Sequence, residues 1–322
     1  MAKKGRYSGI GGQAVLEGIM MKNKEKYAVA VRRPDGGISV EVDNHRGILP
    51  GSKVKEIPFV RGIFNFIDSL VLGMKCLNFS ASFYEEEPGG EEGNSGQQKP
   101  KNETGEKLMS ALVTCFAVVL ALGIFVVLPY YLTSLLKSSL RNQSLMAIIE
   151  GVVRILIFIL YIWGISLMKD IRRLYRYHGA EHKCINCIER GRPLTPSNVM
   201  RSSRLHKRCG TSFIFFVFLV SIVLFFFIRV ENPVARVGIR IALMPVVAGI
   251  SYEIIRLAGR SDNIFIQILS APGMAIQRMT TKEPDESMVE VAIAAVETVF
   301  DWKQYLRDNF GYQAEDLETG EG

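Results

Sequence analysis

The chain has 322 residues, 48% of them hydrophobic and 22% charged, with a net charge of +7 and a positive mean hydropathy. That length could hold two ordinary soluble domains, but so large an apolar share argues against them and for a membrane protein. The charged, glycine-rich N-terminus has no apolar core of signal-peptide type, so no cleaved signal peptide is expected.

Residues 1–57 are expected to form a small cytoplasmic unit. Tyr27–Val31 and Ile38–Val42 alternate apolar and polar positions around Pro34-Asp35-Gly36-Gly37, which predicts a β-hairpin. Ahead of it, Gly11 to Gly18 combines glycines suited to close backbone approach with one acid. Glu17 is either within reach of a neighbouring site or a surface carboxylate before a turn.

Residues 58–84 are apolar almost all round, with Arg61, Asp68, Lys75 and Ser82 recurring every seventh position. So narrow a polar stripe predicts an amphipathic helix that lies in the membrane interface or packs against the helix bundle. Residues 85–107 offer nothing to bury and read as a disordered linker.

Four apolar segments then reach the roughly 20 residues needed to cross a bilayer. Leu108–Leu136 and Leu145–Met168 lie within residues 108–168, and Ser212–Val230 and Val234–Leu257 within residues 212–257. The expected fold class is an α-helical polytopic membrane protein with about four transmembrane helices. Glu150, Arg154, Arg236 and Arg240 fall at one depth and predict ion pairing that fixes helix packing, whereas Glu253 falls near the other end of the fourth span.

Between the span pairs, residues 169–211 form a basic His/Cys loop. Eleven Lys and Arg face three acids there, which predicts a cytoplasmic loop and, with four spans, two cytoplasmic termini in the inner membrane. Partners are expected to be the bilayer and, at the basic loop, anionic lipid, protein or RNA; the oligomeric state is left open. Residues 258–310 predict C-terminal interfacial and amphipathic helices. Ile264–Met279, broken by Pro272-Gly273, reads as an interfacial re-entry, and Asp285–Leu306 as a helix capped by Asp285 or Ser287. Residues 311–322 make a loose acidic tail.

The chemistry concentrates in His178–Cys209, which holds three of the four histidines and three of the five cysteines. Imidazole and thiolate are the ligands of zinc and other divalent transition metals. One construction uses His178-x-x-Glu181-His182, the inverted zincin order, with two metal ligands and Glu181 as general base; His206, Cys209 or Glu253 would supply the third ligand. Another pairs Cys184-x2-Cys187 with His206-x2-Cys209 across 18 residues, as in closed structural zinc modules. A site mixing the two sets is a third.

Three stretches carry a family resemblance: Gly11–Met21 (GGQAVLEGIMM), Tyr177–Lys183 (YHGAEHK) and Arg208–Phe213 (RCGTSF). In them the chain resembles the YqhQ-like bacterial membrane proteins, which are described as predicted metal-dependent enzymes. The resemblance implies that His178, Glu181, His182, His206 and Cys209 belong to family motifs. In that pattern proline is usual at Lys207 and Cys184 and Cys187 stand outside the motif, which weighs against the second construction.

The sequence therefore predicts a metal site of His178, His182, His206 and Cys209, holding zinc or another divalent transition metal. Glu181 would serve as base of a metal-dependent hydrolase or lyase. The alternative is a structural metal and a partner-binding basic surface, for a membrane-assembly or ribosome-associated factor. A solute carrier fits less well, because no inverted repeat is visible.

Overall fold

The N-terminal alternation builds more than one hairpin. In the computed structural model, which describes residues 6–84, 103–136, 142–228, 230, 232–260 and 263–317, four antiparallel strands follow in order. They are β1 (Gly11–Val15), β2 (Gly18–Asn23), β3 (Lys26–Arg32) and β4 (Ile38–Asn44). The anticipated hairpin is β3–β4, with Ala28 opposite Val42 and Val31 opposite Ser39. Two more hairpins precede it, β1–β2, closed by a two-residue turn in which Glu17 takes φ 51°, and β2–β3, with Asn23 opposite Lys26.

The helices are α1 (Val60–Ala81), α2 (Glu103–Leu122), α3 (Leu128–Ser134), α4 (Gln143–Ile165), α5 (Lys169–Glu189), α6 (Pro196–Met200), α7 (Gly210–Phe227), α8 (Pro233–Ala242), α9 (Met244–Arg260), α10 (Ile264–Thr280), α11 (Glu286–Val299) and α12 (Trp302–Phe310). A π-helical turn, Gly123–Val127, joins α2 to α3. Three segments, Ala111–Ser134, Ser144–Ile165 and Gly210–Phe227, are long and apolar enough to cross a membrane. A fourth is so only if α8 and α9 count as one span. The continuous fourth span expected from hydropathy is broken at Leu243, two residues ahead of Pro245, which has no N–H to carry the helix onward.

The chain divides into two units, residues 1–84, 161–220 and 244–322 in one, residues 85–160 and 221–243 in the other. In the first, alternation along the strands gives the sheet two apolar faces. Val15, Met20, Tyr27, Val29 and Val31 meet Leu72 and Cys76 of α1. Ile19, Met21, Ala28 and Ala30 meet Met288, Ala292 and Val296 of α11, together with Tyr177, Cys184 and Ile188 of α5. At about 1.5–3 kcal/mol for each large apolar side chain buried, this core holds α5 in place.

Several expectations change in this unit. The polar stripe of α1 finds protein partners: Arg61 pairs with Glu253, the Asp68 carboxylate accepts from Ile48 N at 2.6 Å, and Lys75 pairs with Asp43 at 2.7 Å. α10 runs unbroken through Pro272 rather than re-entering as two pieces. The C-terminal amphipathic segment is two helices, split at Phe300 and Asp301, with Asp285 as the N-cap of α11, whose Met288, Val291, Ala292 and Ala295 are core residues. The tail is anchored as far as residue 317, where Leu317 is buried and the Tyr312 hydroxyl donates to Gly191 O at 2.8 Å. The basic loop is largely helix, and α5 starts afresh at Lys169 instead of continuing α4.

In the second unit Glu150 takes both Arg154 (3.0 Å) and Arg240 as partners. Arg236 does not join them; it donates to Val230 O. The predicted linker starts its helix at Glu103, and residues 85–102 lie outside the described residues, as do residues 318–322 of the tail.

Candidate metal centre

On α5, His178 and His182 sit one turn apart and face the same side, their ring centroids 4.4 Å apart. The segment before α7 brings Cys209 to them, its Sγ 3.2 Å from His178 Nε2. Ligand atoms of His178, His182 and Cys209 all lie within 4.8 Å of one another.

Backbone carbonyls set the tautomer of both rings. His178 Nδ1 donates to Thr280 O at 2.9 Å and His182 Nδ1 to Arg204 O at 2.7 Å. Each ring thereby keeps a proton on Nδ1 and turns Nε2 toward the centre, the outer-shell arrangement of metal-binding histidines. Gly179, a weak helix former inside the motif, makes the first of these bonds reachable. A Cβ there would stand 2.0 Å from Lys282 O, so only glycine lets the 280–282 segment lie against α5.

Four other side chains position these three residues. Lys183 Nζ donates to Met200 O (2.7 Å) and Ser202 O (3.0 Å), and Asn186 Nδ2 to Ser203 O (2.7 Å) and Leu205 O (3.0 Å). Gln277, fully buried on α10, accepts from His206 N at 2.9 Å and donates to His206 O at 2.7 Å. It also donates to Ser212 Oγ at 2.6 Å, so it clamps the chain on both sides of Cys209. Thr211 Oγ1 lies 3.0 Å from Cys209 Sγ. Sequence reasoning missed Asn186 and Gln277; the one available signal was a polar residue inside an otherwise apolar helical stretch.

Glu181 is buried, with a carboxylate oxygen 4.0 Å from His178 Nε2 and the Gly12 backbone N–H donating to it. Burial pushes its pKa up, and the neighbouring imidazoles offset only part of that. Burial alone would also raise the Cys209 thiol, yet His178 and His182 outweigh it and hold the group well below its ordinary range. The same pairing carries His178 up to about 9 against the opposing effect of burial. Both imidazoles thus favour the thiolate, the form that binds metals and attacks electrophiles.

His206 stands apart from the three. Its ring lies 5.7 Å from that of His182, but Nε2 faces Glu189 Oε2 at 3.4 Å. Desolvation pushes its pKa down to about 4, so the ring is neutral. Glu189 also takes Arg208 at 2.6 Å.

The rival ligand set does not assemble. Cys184 and Cys187 lie in the apolar core beside α11, and Cys187 Sγ points at Pro193 O, 3.4 Å away. Burial raises both thiols, the reverse of what ligation needs. Glu253 is held by Arg61, and Glu17 by Arg173 and the Tyr177 hydroxyl, so neither reaches the centre.

Five of the eleven basic residues of the 169–211 segment are paired with acids of the same chain. Arg173 pairs with Glu17, Arg176 with Asp285, Lys183 and Arg204 with Glu283, and Arg208 with Glu189.

Comparison with known proteins agrees with the motifs. Residues 57–302 match the family model described as Protein of unknown function (DUF1385). The chain is 36% identical over 284 residues to the Uncharacterized protein YqhQ of Bacillus subtilis (strain 168), covering 88% of this chain and 89% of that one. No solved structure matches.

Proposed function

The chain belongs to the DUF1385 family, and we propose that this member is a metal-dependent hydrolase or lyase. Its ion, zinc by the two-nitrogen, one-sulfur donor set, would be held by His178, His182 and Cys209. The observation that carries the reading is the convergence of three ligand atoms, both histidines already oriented by carbonyls, beside a buried carboxylate that is not one of the three. Structural zinc sites use four protein ligands, whereas three ligands and a nearby acid are the pattern of catalytic ones. A divalent ion held by these residues would supply Lewis acidity toward a bound water. Glu181, its pKa raised by burial, takes and returns the proton.

The site would face the cytoplasm, on the charge rule that keeps basic segments inside. A membrane-impermeant thiol reagent should then leave Cys209 unlabelled in intact cells; labelling there contradicts the orientation. The partner-binding alternative rests on Arg190, Arg192, Arg201 and Arg204, of which Arg204 is engaged by Glu283. The decisive variant is Glu181→Gln, with metal content and cellular function as readouts. Retained metal with lost function is expected; full complementation in cells lacking the wild type would remove Glu181 as base.

A second reading has one specific observation in its favour, the 3.2 Å contact from Cys209 Sγ to His178 Nε2, with His178 oriented by Thr280 O. That is also the geometry of a cysteine nucleophile with its base. Chelator would abolish function under the metal reading and spare it under this one.

A further inference from the structure

Two cavities meet at this centre. One, about 260 Å³, is the polar chamber, walled by Glu181, His182 and His206 with the backbone of Gly9 to Gly11. The other, about 530 Å³, is walled by Phe66, Leu174, Phe213, Ile214, Ile255 and Ser69. Gly12, His178, Arg208, Cys209 and Gly210 line both.

The larger chamber is mostly apolar, although Gln13, Tyr175 and Arg208 also line it. Asn65 Nδ2 donates to the Tyr252 hydroxyl (2.8 Å), Ser69 Oγ donates to Asn65 O (2.8 Å), and Thr211 Oγ1 lies beside Cys209 Sγ (3.0 Å). Wall groups that satisfy one another leave apolar surface as the main recognition element. Phe213 and Ile214 belong to the first turn or so of α7, one of the segments apolar enough to span. A hydrocarbon chain held there runs alongside a membrane-type helix while its head stays in the polar chamber.

From this juxtaposition we infer that the substrate is a single-chain amphiphile of lipid type. Its acyl or isoprenoid tail lies between α1, α7 and α9, and its oxygen-bearing head lies at His178, His182 and Cys209. This rests on the metal reading above and deepens it. The size of the apolar chamber favours a chain over a transmembrane peptide, since a helix 10–12 Å across with 5.4 Å pitch would fill it with about one turn.

The test uses full-length, zinc-loaded protein in phosphatidylcholine nanodiscs, titrated with alkanehydroxamic acids of two to twelve carbons and with the matching methyl alkanoates. The hydroxamate head chelates zinc; the ester does not. Bilayer uptake is common to wild type and variants, so the ratio of their affinities at each length is the reading. Hydroxamate affinity should rise by up to about fourfold per methylene, the worth of a buried CH2, and level off when the chamber is full. Ser69→Trp, at an exposed position on the chamber wall, should flatten the series while keeping acetohydroxamate affinity and zinc content. Ile214→Ala should move the plateau to a longer chain.

If the metal reading fails while the chamber takes a chain, acetohydroxamate does not bind, but Ser69→Trp still flattens the ester series. A variant-to-wild-type ratio independent of chain length in both series overturns the proposal, and with Ile214→Ala also silent it does so even if Ser69→Trp misfolds.

Discussion

Replacing Gly179 by alanine sets two effects of opposite sign against each other. In a helix interior the change is intrinsically favourable by about 1 kcal/mol. Here the new Cβ would meet Lys282 O at 2.0 Å, where ordinary contact begins at 3.4 Å, so 1.4 Å must be found. The obstacle is backbone, tied down by the Lys282 N–H donating to Tyr175 O at 2.9 Å, and cannot swing aside as a side-chain tip would. Overpacking of this kind costs about 1–3 kcal/mol, so the clash should win. Displacing residues 280–282 also strips His178 Nδ1 of its acceptor, and loss of such outer-shell bonds weakens metal binding by about 10–100-fold. Thermal unfolding in detergent and chelator competition would measure the two losses. Gly164→Ala, with nothing within 4 Å of its added Cβ, is the control and should lose neither. Equal behaviour of the two variants would refute the claim that Gly179 exists to admit the 280–282 segment.

Gln277→Leu should lower the unfolding midpoint and the metal affinity together, though Gln277 is no ligand. It leaves the buried His206 backbone N–H and C=O unpaired, at about 1–3 kcal/mol for each unsatisfied group; unchanged zinc retention on dialysis would argue against the clamp. Cys184→Ala and Cys187→Ala should keep full zinc content by elemental analysis and lose only packing stability, and metal loss from either would revive the four-ligand module. Acid should destabilise the protein in two steps. The His206 pKa is depressed in the fold to about 4 from roughly 6.5 unfolded, so stability is lost as pH falls through that interval. Glu189 is held at about 2 by His206 and Arg208 despite its burial, so a further loss follows below roughly pH 4.5. His206→Gln should remove the upper step from a plot of unfolding midpoint against pH.

Much of the architecture could be read from local pattern, because local chemistry causes it. Runs of apolar residues at spanning length, alternation at Tyr27–Val31 and Ile38–Val42, and the four-residue spacing of His178 and His182 each act over a few residues. The sequence also held the liability at Pro245, although hydropathy averaging runs over a missing N–H without registering it. The first hairpin escaped notice because glycines masked its alternation; at Gly12 a Cβ would meet Met20 O and Met21 Sδ at 2.6 Å and Glu181 Cγ at 3.0 Å.

The ligand set was a matter for tertiary structure. Spacing alone offered Cys184, Cys187, His206 and Cys209 on at least equal terms, yet α11 buries the first two and Glu189 engages His206. Cys209 reaches His178 only because Gln277, more than 60 positions along the chain, holds both sides of its segment. Composition likewise counted the cations of residues 169–211 but not the acids that neutralise them, since Glu17, Glu283 and Asp285 arrive from outside that stretch. Sequence separation carries no record of such encounters; they follow from how helices and sheet close on a shared core.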